Sequence, residues 1–343
     1  MTKKLLTGIL LFLSAMIIWP VLAQNRTSLT KKSTEVYSTG MKQYEKGNYT
    51  EAIKMFSAAL KLNPADTIYY SLASAYYAIR DYENAVQALN AGIGLKPRQV
   101  DSYYHLRASA YAALNESKKA INDLSLVISR NPDCHTCYSF RGNIYFLSKQ
   151  PDSAFADFNM AIQLAGDKNV SAYLGRGTIN LIRNNYDAGI EDLTKVISLD
   201  PKNSQAYQAR AAAYYSKDNY EAAIKDFGKV MELEPGLEDA VYNRGAVYYK
   251  NKQYQLAVDD FTKAISLKPE LARHYRGRGK AYTELNMNQL AVDDFNKAIL
   301  LDPEYQEAYQ GRAEVYKRMG KVALADADFE KAKGLTAKDP VEH

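Results

Sequence analysis

Apolar residues recur along this chain at helical spacing, in short segments separated by polar turns. The stretch from Tyr242 to Pro269 shows the pattern most plainly, because each half carries small or apolar residues at the i, i+3, i+4, i+7 spacing of a helix with one buried face. A polar turn near 251–253 separates the halves, and the proline ends the second one. The pattern therefore predicts two short antiparallel amphipathic helices.

The same unit recurs along almost the whole chain, and its closing proline marks the period. These prolines are Pro64, Pro97, Pro132, Pro201, Pro235, Pro269 and Pro303. Their separations are 33, 35, 69, 34, 34 and 34 residues, and the interval of 69 spans two units, with Gly166 near the missing proline. A fixed period of this size is typical of a helical solenoid.

Numbering each unit so that its proline takes place 32 shows how the two helices pack. Because the turn lies at places 15 and 16, residues at equal height have place numbers that sum to about 31. Gly245 then faces Phe261, and Tyr248 faces Ala257, so a large residue opposes a small one at each level. The same opposition is predicted for Gly142 with Phe158, Gly279 with Phe295 and Tyr214 with Ala223.

These residues resemble the tetratricopeptide repeat family. Its pattern has an aromatic residue at place 4, a small one at 8, Tyr at 11, Ala at 20, Phe or Tyr at 24, Ala at 27 and Pro at 32. The resemblance implies an all-α fold, a right-handed superhelical α-solenoid of about nine helix–turn–helix units spanning 33–337. The repeats lie near 33–65, 66–100, 101–134, 135–169, 170–203, 204–237, 238–271, 272–305 and 306–337, and a short tail follows at 338–343.

Departures from the family pattern are local. Asn180 and Gly189 replace the Tyr and the Ala of repeat five, Gln43 replaces the Tyr of repeat one, and Ala337 stands at the last proline position. Repeat four has one extra residue. We therefore expect a small irregularity at its end, without a break.

Residues 1–23 have the features of a secretory signal peptide and are set apart from the fold. Two lysines precede an apolar stretch from Leu5 to Trp19, and 21–23 form a small-residue cleavage site. The apolar stretch is short for a membrane span, and an uncleaved anchor is the alternative. We expect an exported protein, in a bacterial periplasm or secreted, with 24–32 as a disordered leader.

From repeat three onward, place 7 is always Arg and place 23 is always Asp. Since these places sum to 30, the two side chains should meet at one level, and we predict a buried ion pair inside each repeat. Pairing between successive repeats would leave Arg107 and Asp328 without partners, so it is the weaker alternative. The predicted pairs are Arg107–Asp123, Arg141–Asp157, Arg176–Asp192, Arg210–Asp226, Arg244–Asp260, Arg278–Asp294 and Arg312–Asp328.

The resemblance also implies where a ligand binds. In this family the first helices line a concave groove through places 2, 5, 9, 12 and 13, and here those places form a tyrosine-rich, apolar surface suited to an extended peptide or a partner helix. For place 12, packing against the neighbouring helix is the alternative. The candidate groove residues are Tyr70, Tyr77, Phe146, Leu174, Leu181, Tyr215, Tyr242, Tyr249, Arg273, Arg276 and Lys280.

Repeats eight and nine carry the one notable basic cluster. Its residues are Arg273, His274, Arg276, Lys280, Lys317 and Arg318. Three of them fall on groove places and are suited to a carboxylate or an acidic segment. A solvated charged face, balanced by Glu284, Glu307 and Glu314, is the alternative.

Cys134 and Cys137 are the only cysteines and lie where a helix is predicted to begin. Haem attachment is excluded because Tyr138, not His, follows the second cysteine. A local disulfide or two idle thiols is the favoured interpretation for an exported protein. Redox chemistry and metal handling remain the alternatives, since a helix N-terminus lowers a thiol pKa.

The remaining chemistry of the sequence points to binding. A net charge of +5 is too small to indicate nucleic acid as a partner, and the sequence shows no phosphate loop, catalytic triad, cofactor box or metal motif. We predict a non-enzymatic exported scaffold that binds proteins or peptides, with no cofactor, no small-molecule substrate and no stable membrane span after cleavage. The alternatives are a thiol redox or metal-handling module and a scaffold subunit of an envelope export or polysaccharide machine.

Overall fold

The computed structural model describes residues 27–166 and 168–335, in which the regular elements are all α-helices. The predicted signal peptide and the tail at 338–343 lie outside the described residues. The chain divides into two compact units between Asn169 and Val170, at the end of the repeat with the extra residue. None of the described helices is both long and apolar enough to cross a lipid bilayer.

The first unit contains four helical pairs, in which the second helix of each repeat packs against the first helix of its own repeat and, within the unit, against the first helix of the repeat that follows. A Cβ on Gly40 would lie 2.7 Å from the ring of Phe56, so the helices of the first pair are closely packed. The helices are α1 (27–45), α2 (Tyr49–Leu62), α3 (Asp66–Ala78), α4 (Tyr82–Gly94), α5 (Val100–Ala113), α6 (Ser117–Arg130), α7 (His135–Leu147) and α8 (Pro151–Ala165).

The second unit contains five helical pairs built in the same way. Its helices are α9 (Val170–Ile182), α10 (Tyr186–Leu199), α11 (Ser204–Ser216), α12 (Tyr220–Leu233), α13 (Glu238–Lys250), α14 (Tyr254–Leu267), α15 (Ala272–Glu284), α16 (Asn288–Leu301), α17 (Gln306–Arg318) and α18 (Val322–Lys333). The first helices of repeats seven, eight and nine, α13, α15 and α17, also contact one another along one side of this unit.

A left-handed residue at place 15 reverses the chain in each repeat. In repeats one and nine this residue is glycine, Gly47 and Gly320, with φ of 79° and 72°. Asn and Asp, which tolerate positive φ, occupy four more of these positions, whereas repeats two, four and seven place a longer side chain there. These other residues are Arg80, Asn115, Lys149, Asn184, Asp218, Lys252 and Asn286.

Small residues enclose the phenylalanine of place 24 from both sides. A Cβ on Gly245 would lie 3.1 Å from Cε1 of Phe261, as the place numbers predict for the same repeat. A Cβ on Gly277, in the next repeat, would lie 2.8 Å from that same ring atom. Gly311 and Phe295 repeat the second contact one unit later, at 2.5 Å. The core is therefore shared between neighbouring repeats, and a methyl group at these glycines would displace the ring.

The leader predicted at 24–32 is wrong for its described part, because residues 27–32 already belong to α1. No glycine or proline interrupts the chain from 27 to 39, and lysine, which occupies 31 and 32, favours helix. Ser33 Oγ also donates to the carbonyl oxygen of Ala59 at 2.9 Å. This bond anchors α1 to the second helix of its own repeat.

Candidate functional site

Each Arg of place 7 lies against the Asp of its own repeat. Arg210 Nε donates to Asp226 Oδ2 at 2.7 Å, and its Nη2 donates to Oδ1 at 2.9 Å. This hydrogen bonding raises the pKa of Arg210, and Asp226 is only 3% exposed. All seven predicted pairs have this two-bond geometry.

Tyrosine rings flank the same guanidinium groups. Arg210 Cζ lies 5.7 Å from the ring centre of Tyr207 and 5.8 Å from that of Tyr214, within range of a cation–π interaction. These rings belong to places 4 and 11, and repeats three, four, six, eight and nine carry both. From the sequence, the place-11 tyrosine was expected only to face the alanine of place 20. The spacing Tyr-x-x-Arg-x-x-x-Tyr is the signal that would have placed both rings beside the arginine.

The third arm of the guanidinium reaches the preceding repeat. Arg210 Nη1 donates to Thr194 Oγ1 at 2.9 Å, and Arg278 Nη1 donates to Thr262 Oγ1 at 3.1 Å. Place 25 supplies the acceptor each time, but in repeat six it is Gly228, whose Cβ position lies 3.8 Å from Arg244 Nη1. The arginines are thus engaged in structural contacts and present no charge to a ligand.

The groove tyrosines predicted in the first unit are half-buried and pack on other rings. Tyr70 lies 5.0 Å from Tyr103, centre to centre, and Tyr77 lies 5.2 Å from Tyr82. Burial raises the pKa of Tyr103 to about 12. Phe146 is also half-buried. These residues therefore combine packing with partial exposure.

Place 12 serves packing inside the repeat in the second unit as well. A Cβ on Gly189 would lie 2.4 Å from Leu181 Cδ2, so this leucine fills the space that the missing alanine leaves. The place-12 tyrosines stack on place 17 of their own repeats: Tyr215 with Tyr220 at 6.1 Å and Tyr249 with Tyr254 at 5.6 Å. Leu174, at place 5, is half-buried.

Arg273 is not available to a ligand in the way the sequence analysis expected. Its Nη2 lies 2.7 Å from Glu238 Oε1 and 2.6 Å from Asp239 Oδ1, and its guanidinium lies 5.1 Å from the ring centre of Tyr242. The reason is that α13 begins with two acidic residues beside the start of α15. The prediction that Arg273 would hold a ligand carboxylate is therefore wrong.

His274 also belongs to this polar network and is fully buried. Its Nε2 lies 2.5 Å from Glu238 Oε1, and its Nδ1 lies 3.1 Å from the carbonyl oxygen of Lys268. Burial by itself would raise the pKa of Glu238, but hydrogen bonds from Arg273, Lys268 and His274 lower it overall. Burial lowers the pKa of His274. The network joins repeats seven and eight.

Arg276 differs from these residues because no carboxylate lies within 4.0 Å of it among the described residues. Its Nη2 lies 3.4 Å from Tyr242 Oη, and its Cζ lies 5.3 Å from the ring centre of Tyr305. Its Nε is buried without a hydrogen-bond partner in the described part of the chain. Arg276 is thus positioned by two tyrosines and still has N–H groups that could donate to a ligand.

Lys280 lies one helical turn further along α15 and has no ion pair within the described ranges. Its Nζ lies 5.3 Å from the ring centre of Tyr249. Burial lowers the pKa of Lys280, and the charges of Arg276 and Lys250 lower it further. An anion placed here would relieve that repulsion.

Arg276 and Lys280 open onto a cavity of about 180 Å³, here called the α15 cleft. Three carboxylates line it as well: Glu307 and Glu314 of α17, and Glu284, which also pairs with Arg318 at 3.4 Å. The remaining lining residues are Tyr249, Thr283, Phe295, Gln310 and Gly311. The cleft therefore presents two cations and three carboxylates together with apolar and aromatic side chains. This arrangement suits a polar, extended ligand with charges of both signs.

The second chemical feature of the sequence, the cysteine pair, is a disulfide between Cys134 and Cys137 in the first unit. Among the described residues, no group of three or more His, Cys, Asp or Glu is arranged to hold a metal ion.

Family models match the chain along most of its length. The models described as tetratricopeptide repeat match 37–99, 101–134, 170–203, 193–225, 239–271, 277–305 and 306–339, and one described as TPR repeat matches 212–252. No curated protein sequence matches significantly.

Solved structures of several repeat proteins share this fold. A tetratricopeptide repeat protein from Parabacteroides merdae is 22% identical, with 73% of this chain and 99% of that chain covered and a TM-score of 0.54. The C-terminal part of a TPR repeat-containing protein from Cytophaga hutchinsonii is 21% identical, covering 68% and 95%, with a TM-score of 0.57. YrrB, described as a TPR protein with an unusual peptide-binding site, is 17% identical, covering 54% and 95%, with a TM-score of 0.51.

Proposed function

The chain belongs to the tetratricopeptide repeat family, and on that premise we propose that it is an exported, non-enzymatic scaffold that binds an extended peptide segment of a partner protein in the α15 cleft. The observation that carries this proposal is the pair of unpaired cations, Arg276 and Lys280, beside Glu307 and Glu314. Proteins built from this repeat are generally scaffolds. The description of YrrB as peptide-binding supports the class of ligand.

The charges of the cleft define the chemistry of the ligand. An acidic side chain or a terminal carboxylate would accept hydrogen bonds from Arg276 and Lys280. A basic side chain or backbone N–H groups would then face Glu307 and Glu314. Tyr249 and the floor of the cleft offer aromatic surface between them. A segment in which an acidic and a basic residue flank an apolar one fits this order.

Export to a periplasm or the cell exterior is part of the proposal and is supported by the amino-terminal sequence. The charged start, apolar stretch and small-residue site within 1–23 have the organisation of a secretory signal. The partner is accordingly expected among exported or envelope proteins.

Affinity capture from envelope extract tests the binding site. The wild-type protein is compared with Arg276→Glu/Lys280→Glu and with the control Lys263→Glu/Lys297→Glu, which makes the same charge change at two exposed residues of α14 and α16. We expect one set of partners to be retained by the wild type and the control and lost from the cleft variant, with equal helical circular dichroism. Retention by all three proteins would contradict the proposal.

The pH dependence of binding provides a second prediction. Because the pKa of Lys280 is lowered in the free protein, a bound carboxylate would raise it, and the complex would take up a proton. Affinity for an acidic peptide should therefore be full below the free pKa of Lys280 and should fall as the pH rises through it. Calorimetric titration with a peptide from a captured partner measures this, and Lys280→Arg should abolish the alkaline loss. An alkaline loss of equal size in Lys280→Arg would contradict it.

A further inference from the structure

We propose that the Cys134–Cys137 disulfide is a thiol–disulfide exchange site, which oxidises pairs of thiols in an exported peptide or protein. This site lies in the first unit and is independent of the α15 cleft. The proposal rests on the unequal burial of the two sulfur-bearing residues, on the start of α7 between them, and on the contacts that Cys134 makes there.

The two cysteines differ in their access to solvent. Cys137 is 1% exposed and packs in an apolar cluster with Leu124, Ile128 and Ile144. Cys134 is only half-buried. An incoming thiolate can therefore reach Cys134 while Cys137 is shielded. This asymmetry distinguishes an attacked cysteine from a resolving one.

Cys134 occupies the N-cap of α7, and its sulfur accepts a hydrogen bond from a backbone N–H of the first turn. The backbone N–H of Cys137 donates to Cys134 Sγ at 3.3 Å, and Thr136 Oγ1 lies 3.5 Å from the same sulfur. Both groups, together with the helix dipole, stabilise a thiolate on Cys134 after reduction. Asp133 precedes it and opposes this effect, but its side chain is exposed and screened by water.

A stabilised thiolate favours the reduced form, so the disulfide is expected to act as an oxidant. A peptide thiolate attacks Cys134 Sγ, the bond between the two cysteines breaks, and Cys137 takes the electron pair and a proton. The second peptide thiol, after losing its proton, attacks the peptide sulfur of the mixed disulfide, and Cys134 leaves as the thiolate. One dithiol thereby becomes a disulfide, and the two electrons it loses reduce the protein's disulfide.

Alkylation of the reduced full-length protein tests the thiolate. Iodoacetamide labelling of each cysteine is followed by mass spectrometry between pH 4 and pH 9. We expect Cys134 to react with a midpoint below about pH 7.5, against about 8.5 for an ordinary cysteine, and Cys137 to stay unlabelled while the helical circular dichroism persists. A midpoint for Cys134 at or above 8.5, or rapid labelling of Cys137, would show a structural disulfide only.

Exchange itself is tested with a synthetic peptide that carries two reduced cysteines. The oxidised protein should convert it to its disulfide in a stoichiometric amount. Variants of the protein that lack the Cys134–Cys137 disulfide should not. Cys137→Ser, mixed with the peptide in its oxidised form, should trap a mixed disulfide through Cys134, whereas Cys134→Ser should trap none. Trapping through Cys137, or no conversion of the peptide after equilibration, overturns the proposal, whatever the outcome at the α15 cleft.

Discussion

Arg210 shows how the arginines of the seven ion pairs are enclosed by groups at fixed places of the repeat. Asp226 neutralises Arg210, and Tyr207 and Tyr214 cover its two faces. Taking both charges out of water costs free energy, and the two-bond geometry offsets that cost. The pair is therefore poor evidence for net stability. Each residue nevertheless requires the other, because either charge left by itself would be buried without a counter-charge.

Removing one partner should accordingly cost more than removing both. We expect Asp226→Ala to lower the free energy of unfolding by about 3–5 kcal/mol, since it strands Arg210. The double variant Arg210→Met/Asp226→Leu should cost clearly less than that single change. Urea unfolding followed by circular dichroism, arranged as a double-mutant cycle, measures the coupling.

The exposed pair Lys229–Glu232 gives a matched control within the adjoining part of α12. Its side chains are 42% and 69% exposed and lie 2.7 Å apart. Glu232→Ala should therefore change the free energy of unfolding by less than about 1 kcal/mol. A coupling energy for Arg210 and Asp226 no larger than that of this control would contradict the prediction of a buried, coupled ion pair.

At this scale the sequence predicted what depends on repeat geometry and failed where neighbours compete for a side chain. Arg and Asp 16 residues apart meet because the helical hairpin fixes their level. Arg273 was misassigned because its groove place says nothing about Glu238 and Asp239 of the preceding repeat. For Leu181 the sequence left packing and the groove as alternatives, and the contact with Gly189 that the structure shows could not be read from place 12 alone.

The contact between successive repeats is set by place 25 on the second helix. Asn90, Ser125, Thr194, Thr262 and Asn296 each accept from the arginine that follows. Repeat six has Gly228 instead, and it lies inside α12, where glycine also weakens the helix. The junction of repeats six and seven therefore lacks a bond that its neighbours have.

Filling this position should strengthen the junction. We expect Gly228→Asn to raise the free energy of unfolding at least as much as Gly228→Ala, although asparagine is the poorer helix former. Alanine should contribute about 1 kcal/mol through helix propensity, and asparagine should add a bond to Arg244 Nη1. Urea unfolding of both variants measures the difference.

Arg244→Met provides the control, because it removes the donor. In that background asparagine should become worse than alanine at 228. An unchanged ranking of the two substitutions would show that the gain does not come from the bond to the preceding repeat.

The network at the start of α13 and α15 makes stability depend on pH. The pKa of Glu238 is lower in the folded chain than its ordinary value of 4.5, so its contribution is present above that value and is lost as the pH falls below it. We expect Glu238→Gln to lower the thermal midpoint at pH 7, and the difference from wild type to shrink towards pH 3.5. Circular dichroism melts across this range measure it.

The exposed residue Glu270 lies in the turn between α14 and α15 and supplies the control. Glu270→Gln should leave the thermal midpoint near that of wild type across the whole range. A difference between wild type and Glu238→Gln that stays constant down to pH 3.5 would contradict a charged, bonded Glu238.

At the scale of the whole molecule, the architecture was the most predictable property. Each repeat contacts mainly its neighbours, so a period near 34 residues and a few small and aromatic positions determine helix after helix. The helices begin within a residue of the predicted repeat starts, from Asp66 to Gln306. The site was less predictable, because the α15 cleft depends on which charges of α13 and α17 are already paired.

The missing acceptor in repeat six also bears on how this chain could be shortened. In repeats three, four, six, eight and nine the arginine donates to place 25 of the repeat before it. The junction of such a repeat with the one before it therefore depends on the residue at that place. Excising 204–237, which is repeat six, would make Thr194 the place-25 residue before Arg244, in place of Gly228. The shortened protein would lack one repeat. At the new junction it would have the bond from Arg244 to a place-25 side chain that the full-length protein lacks.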